Sequence, residues 1–182
     1  MGRVDSELWK AKMASTFTAL DANGNGYLTA DDLWGQLARL AEAYGVSPGS
    51  GKYTEFEAST RAWVDDMLNS MDKSGDDQIS LDEFLEYFSE ASNEAIKSWV
   101  DRYVGGIFII ADADNDGKLT KDEYMRFVIA QGHTETDAEA AFAALDADDT
   151  GYISRDEFVH HMFDYTVATE EAAGNKLFGA VA

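Results

Sequence analysis

The most informative stretch of the chain is a run of twelve residues, Asp112-Ala113-Asp114-Asn115-Asp116-Gly117-Lys118-Leu119-Thr120-Lys121-Asp122-Glu123. Carboxylates occupy positions 1, 3, 5 and 12 of this run, and glycine occupies position 6. Calcium takes about six to eight oxygen ligands, which a loop of this length supplies from those side chains and from the carbonyl at position 7. Glycine permits the sharp turn because it adopts positive φ without steric cost. The run therefore predicts a calcium-binding loop.

Three further segments repeat this pattern, at residues 21–32, 72–83 and 146–157. Position 8 is apolar in all four copies, and its occupants are Leu28, Ile79, Leu119 and Ile153. A single acidic run of this kind also arises by chance, whereas four copies with a shared apolar position indicate a repeated structural unit. We expect the position-8 residues of neighbouring loops to form short strand-to-strand bridges.

The segments around each loop have the spacing of amphipathic helices. Before the first loop, apolar residues recur at intervals of three and four at Trp9, Met13, Phe17 and Leu20. We therefore predict an all-α fold, in which four helix–loop–helix units form two pairs packed into a compact globule. The predicted division places the first pair in residues 1–91 and the second pair, with a C-terminal tail, in residues 92–182.

Some helix ends can be predicted from single residues. Thr54 and Glu57 have the spacing of a capping box that would open the helix before the second loop. Gly45 and Gly132 lie where the helices after the first and third loops would stop, since glycine favours the left-handed conformation found just beyond a helix end.

The candidate metal ligands are the residues at positions 1, 3, 5, 7 and 12 of the four loops. They are Asp21, Asn23, Asn25, Tyr27, Asp32, Asp72, Ser74, Asp76, Gln78, Glu83, Asp112, Asp114, Asp116, Lys118, Glu123, Asp146, Asp148, Thr150, Tyr152 and Glu157. Lys118 at position 7 would contribute only its backbone carbonyl, so its charged side chain matters little. The third loop matches the pattern at every ligand position.

The first loop differs from the third in charge and in its closing residue. Asn23 and Asn25 supply oxygen without charge, and Asp32 closes the loop in place of glutamate. Aspartate is one methylene shorter, so two-oxygen closure requires the loop to contract. Magnesium takes shorter metal–oxygen distances than calcium, and we therefore predict that this site discriminates less against magnesium.

The second and fourth loops each carry substitutions. The second has Ser74 at position 3 and Asp77 in place of the turn glycine, and aspartate tolerates left-handed backbone better than most residues. We predict binding there; the alternative is a loop that keeps only a structural role. The fourth has Thr150 at position 5, where a hydroxyl ligates more weakly than a carboxylate. We predict binding there too.

The composition fits a cation-binding chain. Asp and Glu total 35 against 14 Lys and Arg, a formal net charge of −21 that repels nucleic acid and anionic membrane surfaces. There is no cysteine, which excludes disulfides and thiolate metal sites. The sequence has no apolar run of about 18 residues and no signal-peptide pattern at its start. We expect a cytoplasmic monomer without a membrane span or a nucleic-acid partner.

Four such loops between helices resemble the EF-hand superfamily over nearly the whole chain. Within it, the chain is similar to invertebrate sarcoplasmic calcium-binding proteins and to calexcitins. The narrower resemblance rests on the segments 99–108 and 173–179 and on the long stretch 33–71, whose 39 residues exceed the 28 and 22 of the other two gaps. It implies four EF-hands in two pairs. The fourth site is often lost in such proteins, whereas the residues here favour binding.

Three functions remain open at this point. A calcium buffer or signal modulator is favoured by the long stretch 33–71, by only six methionines and by the apolar tail 177–181, which would fill a groove from inside. Adaptable target grooves tend to be methionine-rich. The first alternative is a sensor that opens a groove for a target protein when calcium binds.

The other alternative is a ligand carrier similar to coelenterazine-binding proteins and photoproteins. The residues that would then line a cavity are Trp9, Trp34, Trp63 and Trp99, together with His160, His161 and Tyr165 near the fourth loop. Aromatic residues at helical spacing are more often core residues. Catalysis has little support, because the sequence contains no phosphate-binding glycine loop and no nucleophile motif. We therefore predict that the protein is not an enzyme.

Overall fold

Eight α-helices and four short strands make up the part of the chain that the structure, a computed structural model, describes: residues 2–170. The helices are α1 (Glu7–Leu20), α2 (Ala30–Ala43), α3 (Gly51–Met71), α4 (Leu81–Glu90), α5 (Asn93–Ala111), α6 (Lys121–Ala130), α7 (Glu135–Leu145) and α8 (Arg155–Val167). The strands are β1 (Tyr27–Leu28), β2 (Ile79–Ser80), β3 (Lys118–Thr120) and β4 (Tyr152–Ser154). A short 3₁₀ helix, Arg3–Asp5, precedes α1. The predicted all-α class is confirmed.

Each of the eight helices begins after a serine or threonine whose side chain accepts a hydrogen bond from the third helical residue. These N-cap residues are Ser6, Thr29, Ser50, Ser80, Ser92, Thr120, Thr134 and Ser154. Such a cap satisfies one backbone N–H that the helix itself leaves unpaired. The hydroxyl therefore fixes where each helix starts.

One predicted helix start is wrong. Helix α3 begins at Gly51 after the N-cap Ser50, and not at a capping box of Thr54 and Glu57. Thr54 lies inside the first turn, where its hydroxyl donates to the carbonyl of Ser50 at 3.1 Å. The predicted stops are confirmed, because Gly45 and Gly132 directly follow the C-cap residues of α2 and α6 and have φ of 65° and 93°.

The four loops pair through the predicted strand bridges. Strands β1 and β2 are antiparallel, with Leu28 opposite Ile79. Strands β3 and β4 are antiparallel, with Leu119 opposite Ile153. All four position-8 side chains are fully buried, so each bridge adds an apolar contact to the paired backbones. The first two helix–loop–helix units form one pair and the last two form the other.

The two pairs pack against each other along three helix contacts: α3 with α5, α2 with α6, and α1 with α8. Aromatic rings fill the first of these contacts. The ring centroids of Trp63 on α3 and Tyr103 on α5 are 5.2 Å apart. Trp99, also on α5, stacks on Tyr103 with nearly parallel planes and ring centroids 5.8 Å apart. Between α1 and α8, the indole N–H of Trp9 donates to the carbonyl of Thr166 at 2.7 Å. One continuous hydrophobic core results.

The boundary between residues 91 and 92 remains a prediction. It falls in the two-residue link between the end of α4 and the start of α5. The predicted plug formed by the apolar tail, residues 177–181, lies outside the described residues. Within residues 2–170, no helix is both long and apolar enough to cross a membrane.

Candidate metal centres

Helix ends position the first and last candidate ligands of each loop. Each position-1 aspartate is the C-cap of the preceding helix, and these residues are Asp21, Asp72, Asp112 and Asp146. Each position-12 acid is the third residue of the following helix, and these residues are Asp32, Glu83, Glu123 and Glu157. The two ends of every loop are therefore set by helix geometry and not by the loop alone.

The position-1 carboxylate is oriented by the backbone of its own loop. The N–H of position 6 donates to this carboxylate in every loop, at 2.8 Å from Gly26, 3.0 Å from Asp77, 2.9 Å from Gly117 and 2.9 Å from Gly151. The loop thus fixes an anionic oxygen at the same point in all four copies.

The backbone turns left-handed at two positions in each loop, and only one of them was predicted. Position 6 has positive φ throughout, including 62° at Asp77, as expected for an aspartate that replaces glycine. Position 4 also has positive φ, at Gly24 (70°), Gly75 (76°), Asn115 (58°) and Asp149 (60°). Sequence reasoning missed this second turn. Its signal was present, because all four occupants are Gly, Asn or Asp, the residues that tolerate this conformation.

The third loop brings three of its carboxylates together. Oxygens of Asp112, Asp114 and Asp116 lie within 4.8 Å of one another. The opposite side is closed by Glu123, which accepts from the backbone N–H of Ala113 at 2.8 Å and from the hydroxyl of Thr120 at 2.7 Å. Hard oxygen anions converging at this spacing are the donor set that calcium prefers. The residues present therefore fit the ion that the sequence predicts.

The first loop is held by contacts between its own candidate ligands. Asp32 is only 2% exposed. One of its oxygens accepts from the side-chain amide of Asn23 and the other from the hydroxyl of Thr29, both at 2.6 Å. The hydrogen bond from Asn23 thus links the short closing side chain of Asp32 to position 3 of the loop. A bound ion would have to displace this contact.

The second loop keeps its closing acid strongly ionised. Glu83 accepts from the N–H and the hydroxyl of Ser80 at 2.8 and 2.7 Å, and these bonds lower its pKa to about 2. Hydrogen bonds led by the N–H of Gly75 also lower the pKa of Asp72. The hydroxyl of Ser74 donates to Asp72 at 3.1 Å. Both acids therefore carry full charge at neutral pH.

The fourth loop is less tightly closed than the second and third. In those loops the position-2 N–H donates to the closing glutamate, at 3.1 Å in the second and 2.8 Å in the third. In the fourth, the N–H of Ala147 donates instead to the carbonyl of Leu145 at 2.8 Å. The hydroxyl of Thr150 donates toward Asp146 and toward the carbonyl of Tyr152, at 3.3 and 3.2 Å. Thr150 thus links two candidate ligands.

A small internal cavity lies where helices α2, α3 and α5 meet. Its volume is about 30 Å³, and its lining includes Leu40, Phe56, Trp63 and Tyr103. Organic ligands of drug size occupy pockets of about 300–1,000 Å³. The tryptophans predicted to line a ligand cavity mostly pack as core: Trp9, Trp63 and Trp99 are at most 5% exposed.

Comparison with known proteins identifies the class of the protein. Residues 10–89 and 102–163 match the family model of the EF-hand domain pair. The chain therefore belongs to the EF-hand family, whose members bind calcium. The predicted superfamily is confirmed.

Two individual proteins resemble this chain over most of its length. Calerythrin of Saccharopolyspora erythraea is 22% identical over 135 residues, which cover 72% of this chain and 76% of calerythrin. A Streptomyces coelicolor calcium-binding protein, studied for prokaryotic calcium-mediated regulation, is 26% identical with a TM-score of 0.76 and covers 88% of this chain and 99% of its own.

A sarcoplasmic calcium-binding protein from amphioxus shares the fold. It has a TM-score of 0.77 at 20% identity, with coverage of 95% of this chain and 97% of its own. The predicted likeness to sarcoplasmic calcium-binding proteins is thus confirmed for the fold, and the likeness to calexcitins stays a prediction.

Proposed function

We propose that this protein is a calcium buffer or signal modulator that binds the ion through all four loops. The proposed ligands are the twenty residues given above for positions 1, 3, 5, 7 and 12. The observation that carries the proposal is the third loop, where three carboxylates converge within 4.8 Å and Glu123 closes the opposite side. The other loops share its backbone turn and its oriented position-1 aspartate.

Buried apolar surface supports a buffer over a sensor. Among the described residues, the large hydrophobic side chains that are exposed are Val4, Tyr27 and Ile129, which occur singly along the chain. Met13, Met67, Met71 and Met162 are at most 2% exposed, so the methionines that would line an adaptable target groove belong to the core instead. The contacts between the two pairs close the faces that a sensor would open.

Calorimetric titration with calcium tests the proposal. We expect about four ions per chain, with the first site weakened most when magnesium is added, because Asp32 closes that loop with a shorter side chain. No uptake of calcium would overturn the function. A hydrophobic dye separates the two roles, since a sensor binds more dye with calcium than with chelator and a buffer does not.

We also propose that the chain works without catalysis, as a monomer in the cytoplasm. The absence of cysteine fits a reducing compartment. Among residues 2–170 the exposed large hydrophobic side chains are Val4, Tyr27 and Ile129, which are far apart in sequence, and this supports a monomer. Sedimentation with and without calcium tests the monomer, and a mass twice that of the chain would contradict it. Fractionation of cells tests the compartment.

A further inference from the structure

Two side chains from the first pair of hands reach the two ends of the third loop. The hydroxyl of Tyr44 donates to the carbonyl of Glu123 at 2.6 Å. The ammonium of Lys52 donates to the carbonyl of Asp112 at 2.5 Å. Asp112 and Glu123 are positions 1 and 12 of that loop, so both ends of one candidate calcium site are held by residues from outside its own pair.

These two contacts come from one short segment. Tyr44 is the C-cap of α2, and Lys52 is the second residue of α3. The connector between these helices, residues 44–50, therefore lies beside the third loop, where α2 packs against α6 and α3 packs against α5. Both carbonyls are therefore contacted by one nine-residue segment, 44–52, which consists of this connector and the first two residues of α3.

The first and fourth hands are tied differently. The side chain of Gln36 on α2 donates to the carbonyl of Ala19 at the end of α1, at 3.2 Å. His161 on α8 contacts the carbonyl of Leu145 at the end of α7, also at 3.2 Å. Each of these residues lies fifteen positions after the position-1 aspartate of its own loop, and each links the two helices of its own helix–loop–helix unit. The matching residue of the third hand is the buried, apolar Phe127.

We propose that Tyr44 and Lys52 are positioning residues that set the calcium affinity of the third loop. They hold its ends at the separation that brings Asp112, Asp114 and Asp116 together, so the ion finds its ligands already arranged. Calcium binding at the third loop then depends on the first pair of hands. By linkage, an ion in that loop also stabilises the connector. The inference rests on the proposed calcium binding.

The charge of Lys52 allows a positioning role to be distinguished from a purely electrostatic effect on the bound ion. Removing a cation beside a calcium site makes the local field more negative, which favours the ion. Removing a tether that arranges the ligands disfavours the ion. Lys52→Met therefore tightens the third site if Lys52 acts only through its charge, and it weakens the site if Lys52 acts as a tether.

Backbone amide signals allow each site to be followed separately in the full chain. The N–H groups of Gly26, Gly117 and Gly151 donate to the position-1 aspartates of the first, third and fourth loops. Their NMR shifts during a calcium titration report occupation of those three loops. The variants are Tyr44→Phe, which keeps the ring, Lys52→Met, which keeps most of the stem, and the double variant.

We expect the double variant to bind calcium at the third loop about tenfold more weakly, from the loss of two hydrogen bonds. The titration midpoints at Gly26 and Gly151 should stay unchanged. The single variant Lys52→Arg should keep most of the third-loop calcium affinity that Lys52→Met loses. Lys121→Met is the matched control, since Lys121 is a cation within the third loop, at position 10, but its ammonium pairs with Glu139 at 2.8 Å and not with a loop carbonyl. An unchanged or tighter third site in the double variant overturns the proposal, as does equal weakening of all three sites or equal weakening by Lys121→Met.

A second measurement reads the coupling in the other direction. Calcium should slow amide hydrogen exchange in residues 44–50, and Glu123→Gln should abolish that effect in an otherwise unchanged chain. Equal slowing in both proteins overturns the proposal. If Gly117 never responds to calcium in the unmodified protein, the proposed function itself fails at this loop. If it responds with the same midpoint in the double variant, only the role of Tyr44 and Lys52 fails.

Discussion

The third and first loops share a backbone and differ in chemistry. In both, the position-6 glycine donates to the position-1 aspartate, at 2.9 and 2.8 Å. In both, positions 4 and 6 turn left-handed. The third loop then places three carboxylates together, whereas the first places Asn23 and Asn25 beside a single Asp21. The shape of the loop is therefore independent of its charge.

The difference indicates what sets the strength of each site. The turn depends on local backbone preferences, which Gly, Asn and Asp satisfy in either loop. Affinity for calcium depends on the number of charged ligands and on the rigidity of the site. We therefore expect the third loop to bind calcium more tightly than the first.

Calcium removal should have the largest effect. An ion present at a thousand times its dissociation constant stabilises the native state by about 4 kcal/mol per site. Four bound ions would also change the net charge from −21 to −21 + 8 = −13, which reduces self-repulsion. We expect a large rise in melting temperature from chelator to millimolar calcium, measured by calorimetry. Glu123→Gln should lose more of this rise than Asp32→Asn. The same melting temperature in both solutions would contradict calcium binding.

Loss of the closing glutamate should come next. Glu123→Gln removes one charge and one anionic oxygen from the third loop, and we expect its calcium affinity to fall roughly a hundredfold. Asp122→Asn removes the same charge from the adjacent exposed position and serves as the control. The Gly117 amide titration measures both. Equal losses in the two variants would mean that net charge, and not ligation, sets the affinity.

Added charge should raise the calcium affinity of the first loop toward that of the third. Asn25→Asp keeps the oxygen that accepts from the N–H of Tyr27 at 2.9 Å, and we expect about tenfold tighter calcium binding there. Asn23→Asp should gain less, because it replaces the amide donor to Asp32 with a second anion. Titration followed at Gly26 compares the two variants. A larger gain from Asn23→Asp would disprove this interpretation of the loop.

The smallest expected change is in ion selectivity. Asp32→Glu lengthens the closing side chain of the first loop, so two-oxygen closure no longer requires contraction around a small ion. We expect the preference for calcium over magnesium to rise a few-fold. Competition calorimetry with both ions measures it. An unchanged ratio would show that the length of the closing residue does not control selectivity here.

Much of the fold could be predicted because its determinants are local. The spacing within each run of twelve residues fixes the turn, the bridge residue and the adjoining helix ends, and Asp77 adopts the left-handed conformation expected of it. The start of α3 was missed because the spacing of Thr54 and Glu57 fits a capping box, whereas the hydroxyl that caps the helix is that of Ser50, four residues earlier.

Long-range contacts could not be predicted from the same patterns. Tyr44 and Lys52 lie 79 and 60 residues from the third-loop residues whose carbonyls they contact. No periodicity links such distant positions, and the contacts exist only because α2 and α3 pack beside α6 and α5. The ligands of a loop are thus visible in sequence, whereas the influences on its strength are not.

The closing acid of each loop also serves the helix that follows it. Glu123 accepts from Thr120, Glu157 from Ser154, and Asp32 from Thr29, each at 2.6 or 2.7 Å. An arriving ion therefore meets oxygens that already have partners, and part of its attraction is offset by the bonds it weakens. It follows that evolution can retune such a protein by exchanging the hydroxyl residue three positions earlier, which is position 9 of the loop and often holds a metal-bound water, without altering any of the carboxylates.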